Sequence, residues 1–364
     1  MKRRDFLFSM AGAASILPLN RLTASKADTN TERYHISTGI NEEERGSQRL
    51  SLERLRRWEE LGYGMFIHYG MSTFDEKEHS LGDKPSTLYA PTDLNVEQWV
   101  KTAVEAGMRY IILTAKHSSG HCLWHSKYTD YHTGTSSDKT DVIAEFVKAC
   151  AKYGIIPGLY YCSWDDHQPM GSQTPSYTEW GKMSSTEEYR RFQWNQVEEL
   201  LTQYGKIGEM WIDIPGMLPR DYRHKLYNRI AELQPDALIV MNHGYGDGQN
   251  FDINYAWPSD VITIERWLPN SETKYVKWRE IEGKRYYMPG EVCDPIGHEW
   301  FFLKGDDPRS DEELLGMYLV SRTRGANFLL NVPPDKTGQI PQMYVDALLR
   351  LRKNISLVTE KYRV

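Results

Sequence analysis

Short apolar runs ending in a polar side chain recur along this chain, separated by stretches with helical spacing. Gly64–Tyr69, Tyr110–Thr114, Gly158–Tyr161, Glu209–Asp213, Ala237–Asn242, Val261–Glu265 and Asn327–Asn331 each read as a buried strand. Val96–Ala106, Val142–Tyr153, Thr186–Tyr204, Tyr222–Leu233 and Glu312–Arg324 read as amphipathic helices. Strands alternating with helices imply a parallel sheet, because a parallel neighbour is reached only through a crossover. The strand ends favour a closed sheet over an open one. His68, His117, Tyr161, Asp213, Asn242, Glu265 and Asn331 all fall there, and polar groups collected from many strands onto one rim describe the catalytic face of a barrel. The expected fold class is α/β, a (β/α)8-type (TIM-like) barrel over residues 49–364.

Composition removes several classes of function. With 40% hydrophobic and 26% charged residues the chain is that of a folded protein. A net charge of −6 argues against nucleic acid as a partner, since phosphate binding needs a basic surface. Neither a G-x-G-x-x-G turn nor a G-x-x-x-x-G-K motif is present, and no cofactor is expected. Cys122, Cys150, Cys162 and Cys293 lie far apart without C-x-x-C spacing, which is neither a disulfide scaffold nor a zinc pattern. An oxidising compartment permits one bridge, and buried free thiols fit equally well.

The first residues read as an export signal. Lys2-Arg3-Arg4-Asp5-Phe6-Leu7 is a twin-arginine pattern, and Ser25-Lys26-Ala27 offers small residues at the cleavage positions. The apolar run from Phe6 to Leu19 is too short to span a bilayer. Residues 1–27 are therefore expected to be a signal peptide and 28–48 a polar leader, with the mature chain in the periplasm or secreted and without a membrane span.

Asp213 follows Trp211 at the end of an apolar run, Ile207 to Pro215. A strand-tip carboxylate beside an indole suits attack on a sugar, the ring covering the pyranose while the carboxylate reaches the anomeric carbon. Eleven Trp and 23 Tyr serve a core, and they also suit a carbohydrate site.

Several segments together resemble glycoside hydrolase family 29, the α-L-fucosidases. These are Trp58–Gly70, Ala106–His117 continuing through Cys122–Trp124 to Tyr128–Tyr131, Gly158–Tyr161, Leu200–Asp213 and Arg324–Pro334 with Gly338. The resemblance covers about residues 50 to 355. It implies an exported enzyme that hydrolyses terminal α-L-fucosyl residues of an oligosaccharide or glycoconjugate, with retention, through two carboxyl groups. Asp213 is then the nucleophile. Arg266-Trp267 resembles the family's Arg-Trp pair, and the loop after it points to Glu272 as acid/base, with Glu291 as second candidate. Glu265, beside Arg266, reads as an orienting residue. The resemblance further implies sugar contacts from His68, His117, Tyr161, Trp211, Arg266, Glu291 and Trp300.

Two departures stand out. Ser118 occupies a position where the family carries a histidine, and the barrel is expected to lack the C-terminal β-sandwich common among relatives. The first keeps open a related sugar, L-galactose or a substituted fucose, or a barrel that binds carbohydrate without turnover. A rival of another kind is a metal hydrolase using His117, His121 and His125, spaced by four, although Gly120 interrupts any helix there.

Overall fold

The computed structural model describes residues 45–168 and 185–362, which belong to one compact unit, Glu42–Val364. The expected signal peptide and all but the last residues of the leader lie outside the described residues. Eight strands form one parallel sheet: β1 (Tyr63–Ile67), β2 (Tyr110–Lys116), β3 (Ile156–Cys162), β4 (Glu209–Asp213), β5 (Leu238–Met241), β6 (Ile262–Glu265), β9 (Gly290–Pro295) and β10 (Ala326–Asn331). Their order is β5-β4-β3-β2-β1-β10-β9-β6. The end strands β5 and β6 share no ladder, and the segment just before β6 is tied to β5 by the Asp260 N–H to Ile239 carbonyl bond at 2.8 Å and by side chains. Ile239 N–H donates to the Asp260 carboxylate at 2.9 Å and Met241 N–H to Ser259 Oγ at 3.1 Å. The sheet is thereby nearly closed into a TIM-like barrel.

The helices are α1 (Leu52–Glu59), α2 (Met71–Asp75), α3 (Val96–Glu105), α4 (Val142–Tyr153), α5 (Glu187–Gln203), α6 (Arg220–Leu233), α7 (Ile253–Ala256), α8 (Asp311–Thr323) and α9 (Gln342–Tyr362). Their ends follow local chemistry. Asp141 caps α4 by accepting from Ala144 N–H, and Gly154 closes it at φ +67, where a side chain would be strained. Ser310 and Glu313 form a reciprocal capping box on α8.

Two features depart from the expectation. β9 is a full barrel strand absent from the seven expected, because Glu291 and Asp294 break its apolar run although all six residues are buried. Between β6 and β9 the chain makes a hairpin, β7 (Trp278–Ile281) with β8 (Lys284–Tyr287), where a regular barrel has a helix.

The barrel interior is set by strand alternation. Gly64 has no side chain because a Cβ there would lie 2.6 Å from the Tyr110 ring. A register shift between Thr114 and Lys116 turns Lys116 outward, where it pairs with Asp165 in full burial. All four cysteines are buried and unpaired. Among the described residues no helix is long and apolar enough to cross a membrane.

Candidate active site

A cavity of about 340 Å³ opens at the C-terminal ends of the strands, the face on which barrels carry their chemistry. Its polar centre is built from the tips of β4, β5 and β6. Asp213 ends β4, and Ile214 behind it sits at φ +48, a left-handed conformation costly for a β-branched residue. That turn lets Ile214 N–H donate to Asp213 Oδ1 at 2.8 Å. Tyr160 O–H donates to Asp213 Oδ2 at 2.6 Å, and Asn242 Nδ2 donates to Oδ1 at 2.8 Å. Three donors thus face this carboxylate.

Asn242 also reaches the second carboxyl group. Its Nδ2 donates to Glu265 Oε2 at 2.8 Å, while its Oδ1 accepts from Thr263 Oγ1 and Gly244 N–H. With the amide oxygen so occupied, the NH2 must face both acids. One nitrogen therefore holds an oxygen of each within twice 2.8 Å of the other. Burial, then the Asp213 charge, pushes the Glu265 carboxyl up to about 7. Arg266 follows at φ +57, so both acids are succeeded by a residue in the left-handed region.

Of the four imidazoles that line the cavity, three, His68, His79 and His117, pack together. His68 donates from Nδ1 to Asn331 Oδ1 at 2.8 Å, since the Asn331 NH2 is engaged with the Trp300 carbonyl. His117 stacks on Tyr160 with centroids 5.5 Å apart, and His79, at the mouth, stacks on His117 at 6.0 Å. Burial lowers all three, His68 to about 3, so each is a neutral ring near neutrality. Neutral imidazoles both donate and accept, which suits sugar hydroxyls. Phe66, Trp211 and Trp300 supply the apolar surface.

The residues anticipated from sequence divide into two groups. Asp213, His68, His117, Trp211 and Trp300 converge on the cavity. The others do not line it. Tyr161 is in phase with Ile212 and faces outward, donating to Gln196, while its neighbour Tyr160, in phase with Trp211, faces in. Glu291 lies beneath the cavity in the barrel floor, accepting from Tyr110 O–H at 2.6 Å and Trp211 Nε1 at 3.2 Å. Glu272 is an exposed loop residue whose N–H caps onto Asn270. Arg266 donates to the His298 carbonyl and stacks on Trp300 at 4.8 Å, so it supports a wall rather than forming one.

Glu265 lines the cavity beside Asp213, and Tyr160, His79, Asn242 and Tyr245 are cavity residues with no assigned sugar contact from sequence. Strand phase alone does not choose between Tyr160 and Tyr161, because the register of β3 on β4 is set by the fold. No sequence signal marks His79, which arrives on a loop. Ser118 is buried with its Oγ 3.1 Å from His117 Nδ1. His117, His121 and His125 engage separate partners, Ser118, Ser136 and the Lys139 carbonyl. Among the described residues no group of three His, Cys, Asp or Glu could hold a metal ion.

Comparison with known proteins gives the family. The α-L-fucosidase family model matches residues 76–357. α-L-Fucosidase 1 of Arabidopsis thaliana is 34% identical over 307 residues, 80% of this chain and 57% of that protein. A glycoside hydrolase 29 family member from an unknown rumen bacterium superposes with TM-score 0.68 at 27% identity, covering 84% of this chain and 56% of the other. α-L-Fucosidase isoenzyme 1 of Paenibacillus thiaminolyticus superposes with TM-score 0.68 at 26% identity, over 84% and 75%. The chain spans about half the length of the curated relatives it matches most strongly. With the family match, the barrel and the paired acids on its rim, the chain belongs to the α-L-fucosidases of glycoside hydrolase family 29.

Proposed function

We propose that this protein is a retaining α-L-fucosidase that removes terminal α-L-fucosyl residues from glycans by double displacement. The observation that carries this reading is the Asn242 amide bonded to Asp213 and Glu265 at 2.8 Å each. That spacing agrees with the roughly 5 Å that separates nucleophile and acid/base in retaining enzymes. Asp213, held by three donors, attacks the anomeric carbon. Glu265, protonated up to about pH 7, gives its proton to the departing oxygen. The fucosyl ester on Asp213 is then attacked by water, whose proton returns to Glu265. His68, His79 and His117 hydrogen-bond the sugar hydroxyls, and Trp300 and Trp211 cover its apolar surface.

The test is hydrolysis of 4-nitrophenyl α-L-fucoside, with the anomer of the first product followed by NMR. Wild type should release the α-anomer first, and Asp213→Asn should lose at least a thousandfold in kcat, as expected when a nucleophile is removed. First release of the β-anomer would overturn retention, and faster cleavage of the matching α-L-galactoside would replace the sugar. From Lys2–Leu7 and Ser25–Ala27 we further infer export by the twin-arginine route. Activity confined to the cytoplasmic fraction of the native cell would refute that.

A further inference from the structure

On the Glu265 side the cavity wall includes His243, Gly244 and Tyr245, the start of a segment, His243–Gly248, in which glycine alternates with other residues. Gly244 and Gly248 have φ of +89 and +75. A Cβ on Gly244 would meet nothing within 4 Å, so the backbone conformation, not crowding, calls for glycine there. This turn brings Tyr245 into parallel bridge register with Glu265, and Gly246 N–H donates to the Glu265 carbonyl at 3.3 Å. Both side chains line the cavity.

Tyr245 is nevertheless 66% exposed, an aromatic ring held at the mouth with most of its surface facing water. No packing role accounts for that position. A general acid protonates the oxygen between the sugar it releases and the group left behind. The leaving group must therefore sit with that oxygen against Glu265, and Tyr245 is the exposed aromatic residue in register beside it. An exposed tyrosine offers a rigid flat surface with few rotatable bonds to immobilise, and its apolar face matches the C–H face of a pyranose.

We propose that Tyr245 is the platform of a leaving-group subsite, its ring stacking on the first sugar of the chain that carries the fucosyl residue. This rests on the fucosidase reading above. In the step it serves, the bond from the anomeric carbon to the glycosidic oxygen breaks as Asp213 forms an ester with that carbon. The Glu265 proton goes to the oxygen, and the sugar on Tyr245 departs with a new hydroxyl.

Two substrates that share the fucosyl part and differ in leaving group test it. α-L-Fucosyl fluoride has no sugar to stack, whereas an α-linked fucosyl disaccharide has one. Tyr245→Ala should lower the disaccharide-to-fluoride ratio of kcat/KM by roughly three- to tenfold, mainly through KM for the disaccharide, as expected for loss of one stacking contact. Tyr245→Trp should restore the ratio. Trp267, 58% exposed but outside the cavity wall, supplies the control, and Trp267→Ala should leave the ratio as in wild type. Equal loss on both substrates in Tyr245→Ala, or a shift only in Trp267→Ala, overturns the subsite. Failure of the wild type to cleave either substrate overturns the fucosidase reading, and the subsite with it.

Discussion

The division of tasks proposed for two neighbouring acids in one pocket rests on the difference in their surroundings. Asp213 accepts from three donors, whereas Glu265 lies half-buried beside that charge and accepts from the Asn242 amide. Burial and the Asp213 charge raise Glu265 to about 7, so its acid form persists at neutral pH and is lost above it. Turnover limited by leaving-group protonation should therefore fall as pH rises through about 7. Glu265→Gln should abolish that descending limb and slow poor leaving groups by about a thousandfold, whereas Glu272→Gln should keep the wild-type profile. A pH–rate series on the disaccharide with both variants checks this, and an unchanged limb in Glu265→Gln would remove Glu265 from the role. Asp213 is legible in the sequence because an apolar run stops at it. Glu265 is harder to read, because the adjacent Arg266 suggests an ion pair. In the fold Arg266 turns at φ +57 toward the His298 carbonyl and Trp300, which no local pattern announces.

At the scale of elements, the alternation of strand and helix was legible wherever the apolar run was continuous. β9 was not, because a strand whose inward positions carry Glu291 is buried by partners that only the closed barrel supplies. β2 shows how a small irregularity serves the site. Its register shift sends Lys116 outward and the next residue, His117, into the cavity. Lys116 is then fully buried against Asp165, with its ammonium 4.3 Å from the Tyr161 ring centroid. Tyr161 therefore belongs to the support of this bulge. A buried ion pair adds little over an apolar pair, but breaking one side leaves an uncompensated charge. Lys116→Met should cost about 3 kcal/mol, and adding Asp165→Asn should recover a large part of it. Urea midpoints of the single and double variants measure both, and a single variant as stable as wild type would show that the pair is dispensable.

For the molecule as a whole, the barrel floor couples folding to pH. Glu209 and Glu291 share the Trp211 indole N–H and are both buried. Trp58 from α1 donates to Glu209 at 2.8 Å, Tyr110 from β2 to Glu291 at 2.6 Å, and Trp211 from β4 to both at 2.8 and 3.2 Å. Four elements of the fold thus meet on two carboxyl groups. Burial, the leading cause, raises both above the ordinary glutamate range, so the folded state holds protons that the unfolded chain has released. The sign follows from that difference. The stabilisation is complete below the unfolded value of about 4.3 and is lost as pH rises through the folded values, at up to about 1.4 kcal/mol per pH unit for one proton. The floor's own contribution should therefore decline from pH 5 to pH 8, against the opposite slope of the buried histidines, whose values burial lowers. Glu265 and Glu78, both raised to about 7 with burial as the first cause, add to the decline with the same sign, so the wild-type slope alone does not identify the floor. Glu291→Gln isolates it. The amide can donate to Glu209 without a titrating proton, and Trp211 keeps its 2.8 Å bond to Glu209. The melting temperature of wild type relative to this variant should fall over the same range, and parallel pH profiles would mean that the floor carries no proton of its own.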